Sequence, residues 1–311
     1  MTAVLPRTLL SVVVPAHNEA ANISALHSAV SSVILNLGID LEMVFVDDGS
    51  RDATTECISE LAVRDGRIRL IAFTRNFGHQ AALLAGLQAA TGDAVITMDC
   101  DLQHPPKLIP QMISAWRAGN EVVQMVRDET VGAGMAKRAM SRSFYRLMNL
   151  LSDTPITPGA ADFQLLDRTA LDALLRLGDH RPFLRGMVSW LGFQTTTLHY
   201  IADARAGGSS SYTWRKMIYM AVDGITAFSV KPLRIAFYIG CWSALLSVLY
   251  LIFFLYELLA GHTVEGWTSL MVVLLFLGAS QLVTLGIVGE YIGRIYDQTR
   301  GRPRYIVKPR K

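Results

Sequence analysis

Two aspartates separated by one residue, Asp99 and Asp101, follow the apolar run 94–98, and Gln103 occupies the next alternate position. Alternate side chains of an extended backbone point to one side. The two carboxylates would therefore share a face and repel unless a cation sat between them. Hard oxygen donors suit Mg2+ or Mn2+, which keep some waters and take other ligands from substrate phosphates. Gln103 would orient a metal-bound water or serve as a ligand itself. Cations follow: Arg127 after the apolar run 121–126, then Arg138 and Arg142 four residues apart on an expected helix. Guanidinium groups grip phosphate with two parallel hydrogen bonds. The strand-end carboxylates indicate a metal–diphosphate role, with a solvated turn as the alternative; the arginines are candidates for a separate phosphate, with solvated helix charges as the alternative for Arg138 and Arg142.

These residues need a scaffold that gathers them. Residues 9–14 form a nearly continuous apolar run rich in Val, as expected of a strand buried on both faces. Pro15 is expected to end it, and Asn18 and Glu19 to open a helix reaching about residue 36. Further strands are expected over 41–46, 68–73, 94–98 and 121–126, each ending in polar residues, with a closely packing Ala- and Gly-containing helix over 79–90. This alternation predicts an α/β domain with a mostly parallel sheet and helices on both faces. Ligands of such sheets bind beyond the carboxyl ends of the strands.

Several ligands are excluded. The turn after the first strand is Pro15-Ala16-His17-Asn18-Glu19, with no glycine for a dinucleotide phosphate, and the Gly-x-Gly at Gly132–Gly134 has neither the third glycine nor the position. No Gly-x-x-x-x-Gly-Lys-Ser/Thr run exists. Cys57, Cys100 and Cys241 have no metal-like spacing and suit a reducing compartment.

Composition adds a membrane. The chain has 311 residues, 51% hydrophobic and only 18% charged, against roughly 25% charged in soluble domains. A disordered chain, a disulfide scaffold and a purely soluble protein are excluded. Residues 235–256 and 268–289 are two uncharged runs, each reaching about 33 Å as a helix, enough for a hydrocarbon core of roughly 30 Å. The opening residues carry no signal-peptide pattern. Basic residues crowd 290–311 and flank the first run at Lys231 and Arg234, whereas 257–267 holds two acids and no Lys or Arg. Positive charge favours the cytoplasm, so both termini and the globular part are expected inside, with the hairpin loop outside, in the inner membrane. Gly278, Ser280, Gly286 and Gly289 permit close helix packing and Gln281 a hydrogen bond across it, an arrangement that would suit a homo-oligomer. The basic tail reads as an anchor on anionic lipid head groups; no nucleic-acid motif accompanies it.

Four motifs now stand in order: Val13-Val14-Pro15-Ala16-His17-Asn18-Glu19, Val46-Asp47-Asp48-Gly49-Ser50, Arg75-Asn76-Phe77-Gly78 and Asp99-Cys100-Asp101-Leu102-Gln103. Together they resemble the family 2 glycosyltransferases of GT-A fold. Within these, the chain is similar to the polyprenyl-phosphate glycosyltransferases, including dolichyl-phosphate mannose synthase and the bacterial enzymes that load glucose or aminoarabinose onto undecaprenyl phosphate. The likeness covers essentially the whole chain, both expected spans included.

The resemblance implies a cytoplasmic GT-A domain over 1–212, an amphipathic juxtamembrane segment over 213–234, a transmembrane hairpin over 235–289 and a basic tail over 290–311. It implies that Pro15, His17, Glu19 and Asn76 line the nucleotide-sugar pocket, with Asp47 and Asp48 near the base or ribose. It implies that Asp99, Asp101 and Gln103 hold Mg2+ or Mn2+ against the diphosphate of a nucleotide-sugar donor, a UDP-sugar by likeness to the bacterial branch. Asp162 falls where the family places an acid near the reacting centre, as a base or to orient the sugar, with helix capping as the bland alternative. A polyprenyl phosphate acceptor needs aiming more than deprotonation, because its second ionisation lies near pKa 6 by analogy with phosphorylated side chains. Arg127, Arg138 and Arg142 would bind it, joined by Arg205 and Ser210 in a loop that resembles the family's Arg-x-x-Gly-x-Ser-Lys-Tyr. Ser211 stands where that loop has Lys, and Arg215 or Lys216 would restore the charge. The implied reaction is an inverting sugar transfer at the membrane surface. A processive polysaccharide synthase would carry Gln-x-x-Arg-Trp, absent here, and a catalytically silent scaffold or flippase partner would not need Asp99, Asp101 and Arg127.

Overall fold

The computed structural model describes residues 8–128, 157, 159–179, 182–201, 225–226, 229–260 and 266–309. Among these, seven strands form one sheet in the order β3-β2-β1-β4-β6-β5-β7. They are β1 (Leu9–Ala16), β2 (Asp40–Asp47), β3 (Ile68–Ala72), β4 (Ala94–Thr97), β5 (Val122–Arg127), β6 (Ala160–Asp167) and β7 (Thr195–Tyr200). Only β6 runs antiparallel, to β4 on one side and β5 on the other. The mostly parallel expectation therefore holds. Central strands are buried along nearly their whole length, which is why they read as unbroken apolar runs.

Helices α1 (Ile23–Leu35), α2 (Thr54–Arg64), α3 (His79–Ala89) and α4 (Ile109–Arg117) follow the first, second, third and fourth strands, and α5 (Arg168–Arg176) and α6 (Leu184–Leu191) lie between β6 and β7. Helix α3 is buried from Ala81 to Leu87, and a Cβ on Gly86 would meet Val13 Cγ1 at 2.2 Å, so only glycine permits that approach to β1.

Some boundaries differ from the sequence reading. Pro15 does not end β1; it lies inside it, paired with Val46. The β1–β4 ladder stops at Val13 and Thr97, so no ladder bond is lost where proline lacks its N–H. Residues 17–22 form turns, and α1 starts at Ile23 rather than Asn18. Strands β6 and β7 were not foreseen.

Beyond the sheet lie two long helices, α7 (Lys231–Leu259) and α8 (Trp267–Thr299). Both contain stretches long and apolar enough to cross a membrane, Lys231–Glu257 and Leu270–Thr299. Ser243 and Ser280 face each other across this pair, 3.2 Å apart. Helix α8 continues to Thr299 rather than ending near residue 289. The chain after it differs from a lipid-lying tail: residues 302–309 rejoin the sheet domain, where Val307 bridges Phe73 beside β3. Most of the amphipathic segment expected over 213–230 lies outside the described residues.

Candidate active site at the carboxyl rim of the sheet

The rim is assembled from the ends of β1, β2, β4 and β5, the start of β6, and the first turns of α3 and α6. At the end of β4 the chain leaves extended geometry in a defined way. Cys100 is buried in the core, where desolvation pushes its thiol pKa up and removes it as a metal ligand. Asp99 and Asp101 on either side stay half-exposed. Leu102 then adopts φ 60°, the left-handed region that an L side chain enters at a cost of order 1–2 kcal/mol. That turn redirects Gln103. Its N–H donates to Asp101 Oδ1 at 3.1 Å, and its Oε1 accepts from Arg127 Nη1 at 3.1 Å. Gln103 thus bonds Asp101 through its backbone N–H and Arg127 through its side chain.

Asp99 has two imidazole neighbours and no closer side-chain donor among the described residues. His79 Nε2 lies 3.6 Å from its Oδ1 and His104 Nε2 lies 3.6 Å from its Oδ2, both beyond good hydrogen-bond length. His104 Nδ1 accepts the Asp99 backbone N–H at 2.9 Å, so the neutral ring carries its proton on Nε2, towards the carboxylate. That ring is buried and stacked on Phe163 with centroids 5.0 Å apart, and burial holds its pKa below the ordinary value.

Asp162 is the most tightly held carboxylate of the rim. Arg185 donates to it twice, Nε to Oδ1 at 2.7 Å and Nη2 to Oδ2 at 2.9 Å, and His79 Nε2 is 3.3 Å from Oδ2. Burial would raise its pKa, but Arg185 and His79 outweigh burial and hold it well below the usual carboxylate range. His79 moves the other way. Burial opposes its charge, while the Asp162 hydrogen bond and the Asp99 and Asp162 charges prevail and raise its pKa. Asp162 is not a helix cap; that task falls to Asp167, whose carboxylate accepts from Thr169 N at the start of α5. The β5–β6 register shifts between Gln124 and Val126, beside Arg127, and such irregularities re-aim side chains at active sites.

The other expected residues divide into two sets. Asp47 is fully buried, accepting from Ser50 N at 2.9 Å and from the Thr55 hydroxyl. Asp48 is also buried and accepts the N–H of Phe77 at 2.6 Å and of Gly78 at 2.9 Å. Burial raises its pKa, though these two bonds pull the other way. Both aspartates therefore brace the loops that follow β2 and β3. Pro15 is buried in β1. His17, Glu19 and Asn76 remain exposed or half-exposed around that brace. His17 Nδ1 donates to Asp48 O at 2.9 Å, and Glu19 Oε2 accepts from Asn22 Nδ2 at 2.6 Å. Gly49, at φ 66°, is required where a Cβ would meet Arg75 C at 2.3 Å. Arg138, Arg142, Arg205 and Ser210 lie outside the described residues.

Sequence reasoning missed His79, His104 and Arg185. His79 and His104 each sit within a few residues of a recognised motif. Arg185 is 23 residues from its partner in a different element, and no local pattern marks it.

As a donor set, Asp99 and Asp101 fit a divalent cation that is completed by its substrate. Among the described residues no group of three or more His, Cys, Asp or Glu is arranged to hold a metal alone. Two half-exposed carboxylates match the way Mg2+ is shared between protein and substrate phosphates.

Comparison with known proteins agrees with this picture. Residues 11–175 match the family described as Glycosyl transferase family 2, and residues 231–295 match the GtrB C-terminal hairpin. An uncharacterized glycosyltransferase of Bacillus subtilis, YkcC, is 42% identical, aligned over 96% of this chain and 93% of its own. A bactoprenol glucosyl transferase of Shigella phage SfX is 40% identical over 97% of this chain and 99% of its own. Among solved structures, a mannosyltransferase from Pyrobaculum calidifontis in complex with GDP-Man and Mn2+ shares the fold, with a TM-score of 0.50 and 18% identity over 90% of this chain and 87% of that one.

Proposed function

The chain belongs to glycosyl transferase family 2, and from that membership and the rim geometry we propose that it transfers a sugar from a nucleotide-sugar donor to a polyprenyl phosphate at a membrane surface. Its phage relatives are named for glucosyl transfer to bactoprenol, and the matching hairpin domain supports a membrane setting. The observation that carries the reading is the Asp101–Gln103–Arg127 chain of hydrogen bonds. It sets a carboxylate that suits a cation and a guanidinium that suits a phosphate at one strand-end rim.

The chemistry follows from charge. A phosphate oxygen of the acceptor attacks the anomeric carbon, the bond from that carbon to the nucleoside diphosphate breaks, and configuration inverts. The acceptor is already anionic near neutral pH, so no protein group must take a proton. Asp162 fits this: a carboxylate held so firmly ionised by Arg185 and His79 is a weak base and a good positioning group. Asp99 and Asp101 are the residues that would hold Mg2+ or Mn2+, which when bound offsets charge on the departing diphosphate. Arg127 aims the acceptor phosphate, and His17, Glu19 and Asn76 line the donor side. The spans hold the domain at the cytoplasmic face of the cell membrane, and Arg138, Arg142, Arg205 and Ser210, outside the described residues, are the further acceptor-phosphate contacts of this reading.

The test uses full-length protein in detergent with Mg2+ or Mn2+, undecaprenyl phosphate and a panel of radiolabelled nucleotide sugars, UDP-glucose first. Label entering the lipid phase, and lost in Asp101→Ala, is expected. Failure of the wild type to bind any nucleotide sugar would instead favour a silent scaffold.

A further inference from the structure

The sequence after α8 reads as a basic tail, yet residues 305–308 are built into the sheet domain. Val307 pairs antiparallel with Phe73, just past the end of edge strand β3. Thr74 N donates to Ile306 O at 3.0 Å and Lys308 N donates to Ala72 O at 2.7 Å. The Tyr305 ring lies parallel on Phe73, with centroids 4.8 Å apart and 16° between planes, and its hydroxyl donates to Gln88 Oε1 of α3 at 2.5 Å. Phe73 is fully buried and meets the edge of Phe77 at 5.7 Å.

Phe77 connects this strap to the site. Its N–H and that of Gly78 are the two donors on Asp48. They sit between exposed Asn76 and His79, the first residue of α3, whose imidazole reaches Asp99 and Asp162. We propose that the C-terminal strap, through Tyr305, is a positioning element of the donor site: it clamps Phe73 and Phe77 and so fixes the 75–79 loop from which Asn76 and His79 project. Three features support the clamp over a passive edge cover. It holds Ala72 and Thr74, just before the loop, by backbone hydrogen bonds, it stacks on the Phe73 ring that also touches Phe77, and it ties to Gln88 near the far end of α3. An edge cover alone needs only the backbone bonds. The consequence for donor affinity rests on the reading given under the proposed function; the consequence for the loop does not.

Two measurements on the full chain in detergent separate these. Hydrogen exchange is followed at the Phe77 and Gly78 amides in wild type, Tyr305→Ala and Tyr305→Phe, with the β1 and β2 amides as the internal reference. Tyr305→Ala is expected to speed exchange at the two loop amides at least tenfold while the reference strands stay unchanged, and Tyr305→Phe, which keeps the stack, to restore most of the protection. In the transfer assay Tyr305→Ala is expected to raise the KM for the nucleotide sugar about tenfold, with kcat and the polyprenyl phosphate KM within twofold of wild type. Unchanged loop exchange, or faster exchange spread evenly over the sheet, overturns the clamp. Faster loop exchange with an unchanged donor KM overturns its role in the donor site. If Tyr305→Ala does not fold, Lys308→Pro, which removes one strap hydrogen bond at an exposed position, is judged by the same criteria. A wild type inactive with every donor refutes the functional reading, and the exchange result still decides the clamp.

Discussion

Two buried carboxylates, each paired with an arginine, stand on opposite halves of the same sheet. Glu42, near the start of β2, accepts from the Ser11 hydroxyl at 2.5 Å, from Thr91 N at 2.8 Å and Thr91 Oγ1 at 3.0 Å, and from Arg69 Nη1 at 2.9 Å. Asp162, at the rim, accepts twice from Arg185 and leans on His79. The first network closes on itself through Ser11, whose hydroxyl also receives Gly92 N at 2.8 Å. The second does not close. It runs through His79 to Asp99, whose nearest side-chain donors among the described residues are imidazoles at 3.6 Å. A satisfied buried charge is architecture; a chain of charges that ends on a half-exposed carboxylate leaves its last bonds for a ligand. Chemistry of the residues is the same in both places, and closure separates anchor from site.

The largest expected effect tests the proposed cation-binding pair at that end, through the partner of Asp99. Asp101→Ala should lower sugar transfer about a thousandfold, the scale of removing one group that stabilises developing charge, with the melting temperature near wild type. A variant that loses activity only in step with stability would move Asp101 into the architectural class. The converse change is Glu42→Ala. It removes the acceptor of the buried Ser11 hydroxyl and one acceptor of Arg69, and an unsatisfied buried polar group costs about 1–3 kcal/mol. A marked fall in melting temperature is expected, with an unchanged donor KM in the protein that stays folded. A selective rise in donor KM would mean that the two networks are coupled through β2.

Arg185→Lys sharpens the contrast within the rim. Lysine keeps the charge but loses the two parallel hydrogen bonds to Asp162. The expected loss is about tenfold in kcat, or roughly 1.4 kcal/mol, with little change in donor KM. If kcat is unchanged, orientation of Asp162 by the fork is unimportant and its charge alone suffices.

How much of this was legible differs by region. The parallel core announced itself, because strands buried on both faces must be apolar throughout and the polar residues that end them are the rim. The rim positions of Asp99, Asp101 and Arg127 were readable for that reason. Strand β7 alternates exposed and half-exposed positions and gave no such run. The loop bonds of Asp47 and Asp48 were not legible, because an acid at a strand end looks the same whether it faces solvent or caps its own loop; the positions of Ser50, Phe77 and Gly78 reveal them. Arg185 and the strap are long-range pairings. Neither Arg185 with Asp162 nor Tyr305 with Phe73 leaves a periodic trace, and positive charge in the tail pointed to lipid rather than to a sheet edge.

The smallest effect is the one the two networks should share. Burial would raise the Glu42 pKa, but its bonds to Ser11, Thr91 and Arg69 prevail and hold it below the ordinary value; Asp162 is lowered likewise by Arg185 and His79. A carboxyl whose pKa falls on folding adds stability above its unfolded value, near 4, and that stability is lost as pH drops through the folded value. The wild-type melting temperature should therefore fall on acidification below about pH 5. Glu42→Gln and Asp162→Asn should each begin lower at neutral pH and fall less steeply across the same acid range. Curves parallel to wild type would show that neither charge is better held in the folded state. At neutral pH the pair should then separate: Asp162→Asn is also expected to lower kcat, because the group proposed to orient the reacting centre has lost its charge, whereas Glu42→Gln is expected to leave turnover of the folded fraction unchanged. A shared acid signature with a divided activity signature is what closure at one end of the sheet, and an open chain at the other, require.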